Sequence, residues 1–327
     1  MVAVMSKRNI IFLVSIIVVA GVLHFISAFN IVSPFYLQIA QYMGIYSIMV
    51  LGINLVNGYL GIFSLGHAGI MAIGAYSSAL FSKYIFTSPS LFPLCLILGG
   101  IMALLSGFVV SIPSFRVRGD YLAIVTLGFT LILKSVFQNV EFVGGALGLR
   151  NIPNNTTIMW VFLWLVIAIT IVRLFINSKY GRSMLAIRED EVAAELSSVD
   201  VKKTKIIVFG LSAFLIGISG GLLSHLLSYT NPNTFGYGMI AEGLIMVYLG
   251  GISSISGSVL GASLWTLLVE ILRPLGVWRW IVGAVLLICM MIYRPSGLMG
   301  NKEFSFPLPF STKNGLTQKT KTSSTSK

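Results

Sequence analysis

Long apolar runs separated by short polar punctuation fill most of the chain. Only one hydrophilic stretch of any length interrupts them, Ser178 to Lys205, SKYGRSMLAIREDEVAAELSSVDVKKTK. A bilayer crossing needs about 20 mainly apolar residues. Runs of that kind lie at Ile10–Phe29, 36–57, 61–82, 92–112, 121–140 and 158–177, and after the polar stretch at 206–229, 238–253, 257–272 and 280–294. The pattern predicts an all-α integral membrane protein of about ten transmembrane helices spread over residues 1–300. Residues 301–327, rich in Ser, Thr and Lys, read as a disordered basic tail. The first run follows Lys7 and Arg8 and is longer than the apolar region of a signal peptide. The HFISAFN that follows offers no cleavage site, so the run reads as a retained span, with His24 an interfacial side chain.

Read at helical spacing, Leu185, Val192, Leu196 and Val199 of the polar stretch fall at i, i+7, i+11 and i+14, one apolar stripe. The other faces carry Arg182, Arg188, Glu189, Asp190, Glu191 and Glu195, with Asp200 and Lys202, Lys203 and Lys205 behind them. The stretch is expected to form one short amphipathic helix held between two spans. A helix lying on lipid presents Lys and Arg to anionic headgroups, at about 1 kcal/mol each. Carboxylates in the middle of this one oppose that arrangement and favour a protein surface; the lipid reading stays open as the alternative.

Composition supports a membrane class. The 327 residues are 56% hydrophobic and only 10% charged, against about 25% charged in soluble domains, and the mean hydropathy is +0.92. A net charge of +12 would suggest a nucleic-acid partner in a soluble protein; here it reflects basic cytoplasmic loops, and no nucleic-acid partner is expected. With the N-terminus inside, 17 of the 22 Lys and Arg residues fall on the cytoplasmic side, leaving Lys83, Lys134, Arg150, Arg273 and Arg279 outside. That bias predicts a multi-pass protein of the cytoplasmic membrane with both termini, and the 178–205 stretch, in the cytoplasm. Cys95 and Cys289 sit inside apolar runs and read as small buried hydrophobes rather than a disulfide framework.

Glycine is the other informative residue. GYLGIFSLGHAG at 58–69 and YLGGIS at 248–253 each interrupt an apolar run, and with a two-residue gap the regions align as YLG…S…G…GA. Paired glycine-interrupted segments point to discontinuous helices around a transport path, whose half-helix N-termini favour a carboxylate. Close packing through small residues explains the same glycines, and the two readings are compatible. The candidate path residues are Ser64, Gly66, His67, Gly69, Glu242, Gly250 and Gly251. His67 is a candidate pore hydrogen-bonder, since one histidine builds no metal site. Glu242 can meet a substrate ammonium or stand as an interfacial carboxylate. Glu270 and Arg273, at i, i+3, should pair.

Other motifs have local explanations. Asp120 of the Arg118-Gly119-Asp120 tripeptide can cap the next helix, and Asn154-Asn155-Thr156 matches a glycosylation acceptor by chance. The chain has no phosphate-binding GxxxxGK[ST] loop, Ser-His-Asp set, HExxH or paired-Cys site. No catalytic residue, metal or cofactor is expected, and any ATP must bind another subunit.

Several stretches, taken together, resemble the LivM-type permease subunits of branched-chain amino-acid ABC importers. They are GYLGIFSLGHAGIMAIGAY at 58–76, RGDYLAIVTLGF at 118–129, GGALGL at 144–149, GRSMLAIREDEVAAELSSVDVKKTK at 181–205, YLGGISSISGSVLGA at 248–262 and RPSGLMG at 294–300. The resemblance implies a permease working with a second permease subunit, ATP-binding subunits and an external solute-binding protein. It also implies that Glu191 to Ala194 and onward is the cytoplasmic segment that docks on the ATPase. The chain departs from the family at Ser198, where glycine is usual, and at Leu147, where Asp or Asn is common. A permease for urea or another small solute has the same architecture. An ion-driven secondary transporter would need several mid-span charges, of which the chain has almost none, Lys134 being the deepest basic one, and a membrane-embedded enzyme would need clustered catalytic residues, which it lacks.

Overall fold

A computed structural model describes residues 21, 33–114, 121–293 and 297–300. Almost all of the first predicted span, with Lys7, Arg8 and His24, lies outside the described residues. So do Arg116, Arg118, the Asp120 cap, Arg294 and the 301–327 tail.

Apolar run length sets the long helices. They are α1 (Pro34–Asn54), α2 (His67–Leu80), α3 (Phe92–Ser114), α4 (Tyr121–Asn139) and α5 (Ile158–Ile176). The polar stretch follows as α6 (Lys179–Glu189) and α7 (Glu191–Leu196), then come α8 (Val201–Leu227), α9 (Tyr237–Gly250), α10 (Ile255–Ile271) and α11 (Trp278–Tyr293). Five of them are long and apolar enough to cross a bilayer, and α9, α10 and α11 are shorter apolar helices. The fold is mostly helical. Its one strand pairing among the described residues is a two-residue antiparallel ladder, β1 (Leu149–Arg150) on β2 (Tyr229–Thr230), pairing Leu149 with Thr230.

The centre of the bundle is α8, which packs on α1, α2 and α3, while α10 packs on α1 and α9. Lipid tails are as apolar as Leu, so association rests on close packing rather than on apolar burial. The α2–α8 seam shows how: Gly74 lies backbone to backbone on Gly217, where any side chain would clash. Outward on α3 and α4 stand Val109, Ile124 and Ile132, each more than 60% exposed, as a lipid-facing surface requires. Two buried polar groups on the inner faces show how such groups find partners. His225, fully buried, places Nδ1 2.7 Å from the Gly221 carbonyl and Nε2 2.7 Å from Ser82 Oγ. The Thr156 hydroxyl of the apparent glycosylation motif is buried and donates to the Leu222 carbonyl at 2.9 Å.

Long-range hydrogen bonds define two ends. At one, beside the ladder, Lys83 Nζ donates to the Arg150 carbonyl (2.9 Å), Gln41 Nε2 to that of Thr156 (3.1 Å) and Gln138 Nε2 to Asn233 Oδ1 (3.0 Å). At the other lie α6, α7 and both glycine breaks. Two expectations change. The single amphipathic helix is two, because Asp190 leaves helical geometry (φ −158°, ψ 115°) to cap α7 through Oδ1, which accepts from Val192 N and Ala193 N. Cys95 is buried as expected, but Cys289 is exposed on α11.

Candidate functional site

The first break begins as the last turn of α1 widens into a π-helical turn, Leu55–Tyr59, a distortion common at functional sites. Gly61 then takes φ +73° and the chain runs without regular structure to α2. This buried, non-helical backbone needs side-chain partners. Asn57 supplies two, accepting from Ser64 N and donating from Nδ2 to the Ser64 carbonyl, both at 3.2 Å. From α4, Thr126 Oγ1 accepts from Leu65 N at 3.0 Å and Thr130 Oγ1 donates to the Leu65 carbonyl at 3.3 Å. Gly66 and Gly69 are the contacts that let α4 approach: a Cβ on Gly69 would sit 2.9 Å from Thr130 Cα.

His67 is the first residue of α2 and is 4% exposed. Its ring packs against Gly243 of α9, whose added Cβ would lie 2.7 Å from His67 Nε2. Carbonyls of Ser64, Met239 and Ile240 lie close by, yet neither ring nitrogen makes a well-formed hydrogen bond. Beside it, Asn57, Ser64 and Ser212 contribute to a void of about 10 Å³, roughly the space one water needs.

The second break joins α9 to α10. Gly251 takes φ +130° and Ser253 φ +62°, a left-handed conformation that costs a non-glycine residue about 1–3 kcal/mol unless its surroundings enforce it. Asn54 enforces it. Buried at 1% exposure, its Oδ1 accepts from Ser253 N at 2.9 Å, and its Nδ2 reaches the carbonyls of Gly251 (3.3 Å) and Ser254 (3.1 Å) and Ser258 Oγ (2.7 Å). Ser254 Oγ caps α10 by accepting from Gly257 N at 3.0 Å. On the α9 side, Leu298 N and Met299 N donate to the carbonyls of Leu249 and Gly250. Gly250 and Gly261 let α9 and α10 touch backbone to backbone.

One side chain touches both breaks. Arg188, on α6, donates from Nη1 to Ser253 Oγ at 2.5 Å, and its stem lies on Gly61, where a Cβ would come within 2.9 Å of Arg188 Cγ. Behind it α6 seats Met184 and Ile187 in the core. In α7 only Ala194 is buried, whereas Leu185, Val192 and Leu196 of the predicted stripe are 37%, 66% and 83% exposed. Val199 turns instead onto the core. The α7 terminus is a Schellman turn: Val199 N donates to the Ala194 carbonyl and Ser198 N to that of Glu195, with Ser198 at φ +62°. That position favours glycine, which accounts for the residue usual in the resembled family. Asp200 caps α8 through Lys203 N (2.9 Å), and Glu191 pairs with Lys205 of α8 at 2.7 Å. Arg182 and Glu195 stay on the exposed side.

Ser64, Gly66, His67 and Gly69 therefore gather at the first break, with Gly250 and Gly251 at the second. Glu242 stands apart, two turns up α9, lining a different cavity that sequence reasoning did not foresee. Glu270 and Arg273 pair at 2.9 Å as their spacing predicts. Asn54, Asn57 and Arg279 escaped the sequence reading. The signal that could have found the two amides is polarity in mid-run, rare and meaningful in a span.

Comparison with known proteins decides the relationship. The family described as branched-chain amino acid transport system / permease component matches residues 35–293. The chain belongs to this family. The high-affinity branched-chain amino acid transport system permease protein LivM of Escherichia coli (strain K12) is 32% identical over 90% of this chain and 76% of its own length. The probable LivM of Methanocaldococcus jannaschii is 27% identical, covering 83% of this chain and 94% of its own. LivH of Salmonella typhimurium, named as a permease of the same kind of system, is 24% identical over 79% and 92%. No solved structure matches the chain. Family membership and the apolar helices make this a multi-pass membrane permease component rather than an enzyme.

Proposed function

We propose that the chain is one permease subunit of an ABC importer that carries branched-chain, hydrophobic amino acids across the cytoplasmic membrane. It pairs with a second permease subunit and is driven by ATP bound in partner ATP-binding subunits, while an external solute-binding protein delivers cargo. The names of LivM and LivH relatives support this reading. The orientation it requires puts both termini and the α6–α7 end in the cytoplasm and the ladder end outside. Ten spans then follow, the first at Ile10–Phe29.

The observation that carries the mechanism is the double contact of Arg188. A push on α6 and α7 by the ATPase reaches Ser253 through the Arg188 guanidinium and Gly61 through its stem, so both breaks move with the docking segment. The apolar docking face is Leu185, Val192 and Leu196, with Arg182, Glu191 and Glu195 at its rim, a helix-in-groove contact oriented by charge. Asp200 holds the start of α8 in register with it. Ser64, His67 and the glycine breaks then line the moving part of the path.

The test is ATP-driven L-leucine uptake by the complete complex in proteoliposomes, with amino acids and urea as competitors. Glu191→Lys and Val192→Asp should leave membrane abundance unchanged, since both side chains stand on the exposed side of α7, outside the packed spans. Both should lose ATPase co-purification or uptake. Wild-type uptake and retained ATPase in both variants would return α6 and α7 to a lipid-surface role, and competition by urea alone would replace the cargo.

A further inference from the structure

Near the ladder end, between α1, α8, α9, α10 and α11, lies a cavity of about 270 Å³, close to the size of small-ligand sites. Its wall carries two opposite charges from different helices, Glu242 of α9 and Arg279 of α11. Both side chains line this one cavity, yet they form no ion pair. The other carboxylate in the wall, Glu270, is already engaged by Arg273. Arg279 Nε is buried without a hydrogen-bond partner, and so is Nε1 of Trp265, a 1% exposed residue in the same wall. Leu223, Met246 and Val269 supply apolar wall.

Charges inside a membrane protein are costly unless paired or put to use. Here a carboxylate, a guanidinium and an indole N–H share one cavity with unused bonding capacity. We propose that this cavity is a binding site for a zwitterionic aliphatic α-amino acid. Glu242 takes the α-ammonium, and Arg279, with the Trp265 N–H, takes the α-carboxylate. A free amino acid carries its two charges one carbon apart, so it can join two protein charges that do not reach each other. A guanidinium holds a carboxylate through two parallel hydrogen bonds, and the aliphatic side chain lies on Leu223, Met246 and Val269. The proposal rests on the amino-acid permease reading and adds a location and a recognition chemistry to it. Urea can hydrogen-bond both groups but, being neutral, compensates neither charge.

The test measures tritiated L-leucine binding to the purified complex in lipid nanodiscs, without nucleotide or solute-binding protein, beside L-leucine uptake by the same complex. N-acetyl-L-leucine, which lacks the ammonium, and L-leucinamide, which lacks the carboxylate, should each compete at least tenfold more weakly than L-leucine. Glu242→Gln should weaken L-leucine at least tenfold and leave N-acetyl-L-leucine no worse. Arg279→Gln should weaken L-leucine equally and leave L-leucinamide no worse. That crossed pattern is something a merely misfolded cavity does not produce. If either variant fails to assemble, the analogue series on the wild-type complex decides alone. Equal competition by all three ligands, no saturable L-leucine binding, or wild-type binding by both variants overturns the site. Intact wild-type uptake beside any of these results leaves the permease reading standing, whereas lost uptake of every amino acid overturns that reading.

Discussion

Asn54 and Asn57 stand three positions apart where α1 ends, and each holds a different break. Asn57 closes on Ser64, seven residues ahead, while Asn54 reaches Gly251, Ser253, Ser254 and Ser258, about 200 residues away. A local partner could be guessed from sequence; the distant one depends on how α1 packs against α10, which no local pattern records. The contrast explains why the glycines were legible and the amides were not. A cluster of glycines signals a break or a close approach from its own place in the sequence, but an amide acquires meaning only from the backbone it meets. Asn54→Leu keeps the volume and strands the Ser253 N–H and the Gly251 carbonyl. A buried polar group left unmade costs about 1–3 kcal/mol, and a few kcal/mol moves the unfolding midpoint of a chain this size by roughly 5–10 °C. That drop is expected in thermal unfolding of the detergent-purified protein. An unchanged midpoint would mean that the second break holds its shape without Asn54.

At the scale of elements, run length read the helices well. The predicted spans 92–112, 121–140 and 158–177 correspond to α3, α4 and α5 within two residues at either end, because hydrocarbon thickness and not side-chain detail sets their length. The polar stretch misled for a definite reason. A stripe at i, i+7, i+11 and i+14 presumes one continuous helix, and Asp190, a residue as suited to capping as to solvation, ends it after Glu189. The split turns Arg188 toward the breaks. If that contact transmits force, Arg188→Ala and Ser253→Ala should each leave ATPase docking and ATP hydrolysis in place and lower L-leucine uptake about tenfold. This is the scale of one hydrogen bond to a charged group. The double variant should be no worse than either single one, the non-additivity expected of two partners in one contact. Additive losses would separate the two residues and remove the strut.

For the whole molecule, the two ends differ in kind. The end with α6 and α7 is polar, split into short helices and joined to both breaks; the other is tied by a ladder and by side-chain to backbone bonds across loops. Both breaks lie at the same end, where Arg188 meets them. The proposed orientation, drawn from the charge asymmetry of the sequence, puts that end in the cytoplasm, and the importer reading needs it there, since ATP is inside. Two exposed positions test it. Leu147, 69% exposed, lies in the loop before the ladder, and Leu196, 83% exposed, closes α7. In a Cys95→Ala, Cys289→Ala background, which also removes the exposed thiol on α11, Leu147→Cys in intact cells should react with a membrane-impermeant maleimide. Leu196→Cys, in cells lacking the ATP-binding subunits that would cover it, should react only after the membrane is opened. The reverse pattern would invert the protein, put the docking face outside beyond reach of any ATPase, and leave the glycine breaks without a drive.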